Sequence, residues 1–208
     1  DGTSYWAKKK LLLGSGIVMT AVGIPMLFQG DELLMDKWFG DEMPLEWSRL
    51  NTYGGINEAF RGLIHCRRNL YGSTKGLTGD GCYVFHVNNG WAGHESDKVI
   101  AFTRYDSGGG ADDVLVIINA SNNTFGDYNL NAGANAFLTW NWYLQYTSNR
   151  KCYDPAWGGG GKDEEATHHA SNGHFYIGPY AVNIYGLKKL PAPTADFVVS
   201  EHGGTLPR

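Results

Sequence analysis

The apolar pattern of this chain changes several times along its length, and each change marks a different kind of element. Over "SYWAKKKLLLGSGIVMTA" (residues 4–21) the apolar positions suit a buried helix, with Trp6, Leu13, Ile17 and Val18 among its expected core-facing residues. Gly23 then makes a tight connection into "IPMLF" (24–28), a short, wholly apolar strand. Its Pro25 falls at the start, where a missing backbone donor is tolerated. Residues 30–55 show no period. They carry Trp38, Pro44, Trp47 and the Gly54-Gly55 pair and read as a long loop; loops beyond about 12–15 residues are uncommon and often functional. Helical spacing returns in "INEAFRGLIHCRRN" (56–69), with Ile56, Phe60, Leu63, Ile64 and Arg67 on one face and basic residues in the last turn, where they complement the helix dipole.

After Tyr71 the period falls to two. "CYVFHV" (82–87), "KVIAFTRY" (98–105), "DVLVIINA" (113–120), "AFLTWNWYLQY" (136–146), "HFYIG" (174–178) and "YAVNIYGL" (180–187) are β-branched and aromatic runs separated by Gly, Asn and Asp clusters. Short strands with turn chemistry between them predict an antiparallel sandwich. The expected organisation is a helix–strand–loop–helix piece over residues 1–72, a β domain over 73–190 and a Pro-rich tail over 191–208. The first piece does not stand alone. One apolar strand between two helices is the pattern of a parallel sheet covered on both faces, and a single such strand has no sheet to join. The rest of that sheet is expected upstream.

Composition narrows the function classes. The 208 residues are 42% hydrophobic and 18% charged, enough to bury a core and too apolar for a disordered chain. A formal charge of −4, with no basic block beyond Lys8-Lys9-Lys10 and Arg67-Arg68, argues against nucleic acid as a partner. Seven Trp, twelve Tyr and twenty-nine Gly suit a β scaffold that offers flat aromatic faces to sugar rings, although the same composition fits a plain sandwich. The three lysines and the apolar run after them have the look of a secretory signal or membrane span. Gly14, Gly16, Gly23 and Pro25 interrupt that run, and a buried helix is the better reading, so no membrane partner is expected. Cys66, Cys82 and Cys152 cannot all pair within the chain; a Cys82–Cys152 bridge and three free thiols are both open. The sequons at Asn119 and Asn122 bear on a eukaryotic secretory protein alone, and a secreted and a cytoplasmic location both remain open.

Ten consecutive residues carry a resemblance. "GIPMLFQGDE" (23–32) resembles the Gly-x-Pro…Gly-x-Glu motif at the eighth strand of the α-amylase superfamily, glycoside hydrolase family 13, with wording closest to branching-enzyme-like α-glucan enzymes. "PLEWS" (44–48) and "FRGLIHCRRN" (60–69) resemble the loop and the last barrel helix that follow, and "DVLVIINAS" and "GPYAVNIYGL" resemble strands of the family's C-terminal β domain. The fold implied is mixed: partial α/β, the last strand and flanking helices of a TIM barrel, followed by an all-β antiparallel sandwich. The resemblance also implies retaining cleavage or transfer of α-glucosidic bonds in starch or glycogen, no cofactor, and the N-terminal part of the barrel as a partner. Retaining hydrolysis needs two carboxyl groups about 5–5.5 Å apart. The family's nucleophile, acid/base and third carboxylate belong to strands upstream of the eighth, and none of those motifs is in this chain. Its catalytic residues are therefore expected elsewhere.

Asp31 and Glu32 are poor substitutes, because neighbours leaving a strand point in different directions. The plainer expectation is that Glu32 satisfies backbone donors or pairs with a base while Gly30 supplies a turn. A rim role is the alternative, with Gln29, Asp31, Glu32 or Trp47 touching substrate. Trp91 and Trp157, in Gly-rich loops, are candidate sugar-stacking surfaces. Trp140 and Trp142 share one strand face and read more naturally as core. His168-His169, His174 and Asp163-Glu164-Glu165 match no metal-ligand spacing, and Asp112-Asp113 lacks the alternating ligands of a calcium loop. Two rival functions remain: a stand-alone carbohydrate-binding module, and an independent hydrolase with its site in the sandwich.

Overall fold

The computed structural model describes residues 2–38, 40–87, 97–108, 110–130, 135–154, 169–170 and 172–190. Helix α1 spans Tyr5–Thr20 and starts at Ser4, whose hydroxyl accepts the Ala7 amide at 3.3 Å. Its buried face differs from the expected one. Lys9, Leu12, Leu13, Gly16, Met19 and Thr20 are buried, whereas Trp6, Ile17 and Val18 are exposed. Two features rotate the helix away from its apolar stripe. The Lys9 amine bonds the Asn149 side chain in the interior. Gly16 lies against the sheet, where an added Cβ would sit 2.7 Å from Val182 Cγ2. Among the described residues no helix is long and apolar enough to cross a membrane.

The expected strand at Ile24–Phe28 does not form. These residues belong to neither sheet, and Ile24 and Met26 are 95% and 83% exposed. A strand exists through its hydrogen-bonded neighbours, and the first described strand of this chain begins only at residue 81. Residues 30–55 are less irregular than expected. They hold 3-10 turns at Asp31–Leu33 and Trp47–Arg49, and helix α2 (Leu50–Arg67) begins six residues early, with a kink at Tyr53.

The strands are β1 (Gly81–Val87), β2 (Val99–Tyr105), β3 (Val114–Asn119), β4 (Phe125–Asn129), β5 (Trp142–Thr147), β6 (His169–Ala170), β7 (His174–Ile177) and β8 (Ala181–Gly186). A six-stranded antiparallel sheet has the order β1-β2-β3-β8-β5-β6, and β4 pairs with β7 in a second, smaller sheet. Central strand β3 is buried throughout because both its faces are covered. Val114, Val116 and Ile118 join a core with α1 and α2, while Leu115 and Ile117 join a second core with β4 and β7. The molecule is thus layered as helices, large sheet, small sheet. Register irregularities interrupt the alternation in β1, β4 and β5. An irregularity between Leu144 and Tyr146 places these two residues in opposite cores, as a β-bulge does.

The expected strand over 136–146 is a 3-10 turn at Ala136–Thr139 followed by β5. Trp142 is fully buried, and its indole N–H donates to the Phe137 carbonyl at 3.0 Å. Cys66, Cys82 and Cys152 form no disulfide with one another. Burial raises the Cys66 thiol to about 12, so it is inert as a nucleophile. Asn119 is buried and donates to the Asn123 and Gly178 carbonyls at 2.8 Å each, which closes the first sequon to modification in the folded chain.

Candidate functional site

The candidate site grows out of the turn at Gly30. Gly30 has φ +99°, a left-handed conformation that glycine adopts without a Cβ penalty, and it lets the chain fold back into the Asp31–Leu33 turn. The Glu32 carboxylate accepts the Gly30 amide at 3.0 Å. That bond locks the turn from inside and assigns Glu32 the backbone-satisfying role expected of it. Leu33 and Leu34 are the buried anchors of the segment. Arg49, just ahead of α2, fastens it from outside. Its Nε donates to the Leu33 carbonyl at 3.0 Å, its Nη2 donates to the Leu34 carbonyl, and its Nη1 reaches Asp36 at 3.3 Å. The guanidinium also lies 5.0 Å from the centroid of the Tyr53 ring.

On the solvent side of this turn lies an open cleft of about 220 Å³. Phe28, Gln29, Asp31, Lys37, Trp38 and Asp41 are among the residues that line it. Lys37 is ion-paired with Glu46, whose carboxyl the lysine holds below its ordinary value. Asp31 shifts the other way: partial burial, and then the neighbouring Glu32 charge, raise its pKa. Hydrogen-bonding and stacking groups are what the cleft gathers.

The sequence candidates divide here. Gln29 and Asp31 line the cleft; Glu32 and Trp47 do not, although Trp47 is 62% exposed on the second 3-10 turn. Trp38, which the sequence reading passed over, lines the cleft and is 90% exposed. The signal that would have found it is position alone, eight residues past the Gly30 turn. Trp91 and Trp157 lie outside the described residues, as do His168 and Asp163-Glu164-Glu165. Trp140 is partly exposed and stacks on buried Trp142, with ring centroids 6.2 Å apart and planes at 26°. Among the described residues no group of three or more His, Cys, Asp or Glu side chains is placed to hold a metal ion. His174 instead meets Asp127 at 2.7 Å.

Asp112, one of the calcium candidates, caps a turn. It accepts the Ser107 amide at 2.8 Å and the Asp106 amide at 2.9 Å, and these bonds, the Ser107 one first, hold its carboxyl below the ordinary range. Its ionised form therefore favours the fold. That contribution is present above the unfolded value of about 3.9 and is lost as pH falls through the lower folded value. Asp113 beside it is raised, chiefly by burial, and works in the opposite sense. Asp112→Asn is expected to flatten the loss of stability below about pH 4 in urea titrations. An acid limb as steep as that of the parent would count against this role.

Residues 91–188, just under half the chain, match the family model for the alpha amylase C-terminal all-beta domain. That stretch is similar to the C-terminal all-β domain of the alpha amylases. Solved proteins of similar fold include a pullulanase from Anoxybacillus sp. LM18-11 complexed with maltotetraose, at 14% identity and a TM-score of 0.56, covering 88% of this chain and 24% of that one. The trehalulose synthase MutB matches at 15% identity and a TM-score of 0.57 over 89% of this chain and 40% of its own. A debranching enzyme from Nostoc punctiforme matches at 16% and 0.52, over 86% and 31%. The chain thus spans between a quarter and two fifths of these proteins. At such identities the likeness is one of fold, and its coverage of this chain extends well ahead of residue 91. No curated protein matches the sequence.

Proposed function

We propose that this chain is the C-terminal portion of an α-glucan-active glycoside hydrolase or transglycosylase, of the α-amylase or branching-enzyme kind. Residues 1–72 complete a (β/α)8 barrel, and residues 73–190 form the sandwich that closes it. The observation that carries this reading is the segment Ile24–Phe28, which belongs to neither sheet, is apolar along its length and lies open to solvent between α1 and the Gly30 turn. Apolar surface left in water forfeits about 25 cal/mol per Å² of burial. Parallel strands on either side of the segment would supply that cover. In such a barrel, chemistry sits at the C-terminal ends of the strands, which puts Gln29 and Asp31 at the rim of the site, with Glu32 and Trp47 beside them. Trp91 and Trp157 would extend the contact to polysaccharide from loops of the sandwich.

This reading predicts that the isolated 208-residue chain releases no reducing sugar from starch or glycogen and makes no new branches. It also predicts that the natural gene product is longer by most of a barrel, about 250 residues. Turnover by the isolated chain, or a natural product no longer than it, would overturn the proposal. Retardation of an inactive chain of natural length on amylopectin would favour the binding-module alternative.

A further inference from the structure

We infer that Asn122, and not Asn119, is the acceptor for an asparagine-linked oligosaccharide when the chain passes through a eukaryotic secretory pathway. The inference is independent of the glucan-active reading. Two sequons, Asn119-Ala120-Ser121 and Asn122-Asn123-Thr124, stand side by side where the chain crosses from β3 to β4, and as motifs they are equivalent. The fold treats them differently. Asn119 is spent inside the molecule. It is fully buried; its Nδ2 donates to the Asn123 and Gly178 carbonyls at 2.8 Å each, and its Oδ1 accepts the Ser121 amide at 2.9 Å and the Ser121 hydroxyl at 2.7 Å. A side-chain amide nitrogen has two hydrogens, and both are in use. A sugar on that nitrogen would replace one of them, orphan a buried carbonyl and force a hydrophilic group into the interior. Ser121, the hydroxyl residue of the same sequon, is buried as well.

The second sequon is presented to solvent. Asn122, Asn123 and Thr124 are exposed, and the Asn122 amide and Thr124 hydroxyl carry no hydrogen bond among the described residues. The turn beneath them is held by other groups. The Asn123 amide donates to the Ser121 hydroxyl at 3.2 Å, and the Tyr180 amide donates to the Ser121 carbonyl at 2.9 Å. A bulky hydrophilic group on Asn122 therefore breaks no bond and stays in water, where such modifications belong. The donor is a lipid-linked oligosaccharide diphosphate. A bond forms between Asn122 Nδ2 and C1 of the first sugar, the C1–O bond to the diphosphate breaks, the lipid diphosphate leaves, and one Nδ2 proton is released. Nothing is oxidised or reduced. Transfer to an unfolded chain leaves the fold to select among products, because a chain modified at Asn119 cannot close the bonds that join residues 119, 121, 123 and 178.

The test is expression of the natural-length protein behind a secretory leader in yeast, with peptide mass mapping of the folded, protease-resistant product before and after treatment with a peptide N-glycosidase. That enzyme converts a modified asparagine to aspartate. Conversion is expected at position 122 and absent at position 119. Asn122→Gln and Thr124→Ala are each expected to abolish the mobility step that the glycosidase removes. Both positions are exposed, so these variants should melt at the temperature of the deglycosylated parent. Folded protein that is unmodified at position 122, carries sugar at position 119, or keeps its sugar in Asn122→Gln would overturn the inference. None of these results bears on glucan turnover or on the length of the natural gene product, so the proposed function is decided separately.

Discussion

An Arg104→Met variant is expected to lose about 3–5 kcal/mol of unfolding free energy, a large share of the roughly 5–15 kcal/mol that holds a domain together. Arg104 lies on β2 and is fully buried. Its Nε donates to the Gly81 carbonyl at 3.0 Å, its Nη2 to the Gly79 carbonyl at 2.5 Å, and its Nη1 to the Thr20 carbonyl at the end of α1. The last carbonyls of a helix have no partners of their own and carry partial negative charge, so a guanidinium there stabilises them twice. Methionine fills much of the same volume but offers no donor, and each orphaned buried carbonyl costs about 1–3 kcal/mol. Arg67 reaches the same helix end, donating to the Ala21 carbonyl at 2.7 Å and the Met19 carbonyl at 3.3 Å from a more open position. Its removal should cost less. Guanidinium-chloride titrations of the two variants settle the matter: a loss below about 1 kcal/mol at Arg104 would mean that water takes over its three bonds.

Arg104 also shows how far the sequence could be read. The run "KVIAFTRY" announces a strand, and β1, β3, β7 and β8 were legible in the same way as β-branched and aromatic runs. Nothing in a period-two pattern says that an arginine on the inward face will be buried, because the reason lies in three carbonyls brought together from residues 20, 79 and 81. Lys9 is a second case. It was not among the expected core-facing residues of α1, yet it is buried and its amine is satisfied by Asn149, a residue 140 positions away. β4 went unseen because "FGDYN" holds Gly126, Asp127 and Asn129, which read as turn, and only Tyr128 is buried there.

The site was legible in part. The run "QGDE" foretold a turn at Gly30 and a structural part for Glu32, both borne out by the left-handed φ and the amide bond. What the sequence could not supply is the return of residues 37–45 across that turn, which depends on a distant ion pair and on Arg49. Trp38 enters the site through that return. Trp47, the tryptophan of this loop that the sequence singled out, does not line the cleft. The apolar run at Ile24–Phe28 marks another limit: composition declares a strand, but pairing needs a partner chain segment that the described residues do not contain.

The Gly54-Gly55 pair, read from sequence as a loop, lies inside α2, and its two members are expected to respond to alanine in opposite directions. At Gly54 an added Cβ meets nothing within 4 Å, so Gly54→Ala gains helix propensity, about 1 kcal/mol. At Gly55 the same methyl would sit 2.3 Å from the Tyr153 carbonyl oxygen and 2.7 Å from that of Cys152. Both obstacles are backbone, so α2 must withdraw from the Lys151–Tyr153 turn, at a cost of about 2–3 kcal/mol. The consequence reaches the cleft. Arg49 precedes α2 directly and holds the Leu33 and Leu34 carbonyls, so a displaced helix carries the Gly30 turn with it and loosens the wall that bears Asp31. Gly55→Ala should therefore lower the denaturation midpoint, whereas Gly54→Ala should raise it. Two variants that shift the midpoint in the same direction would show that the close approach of α2 to residues 152 and 153 does not set the stability of this junction.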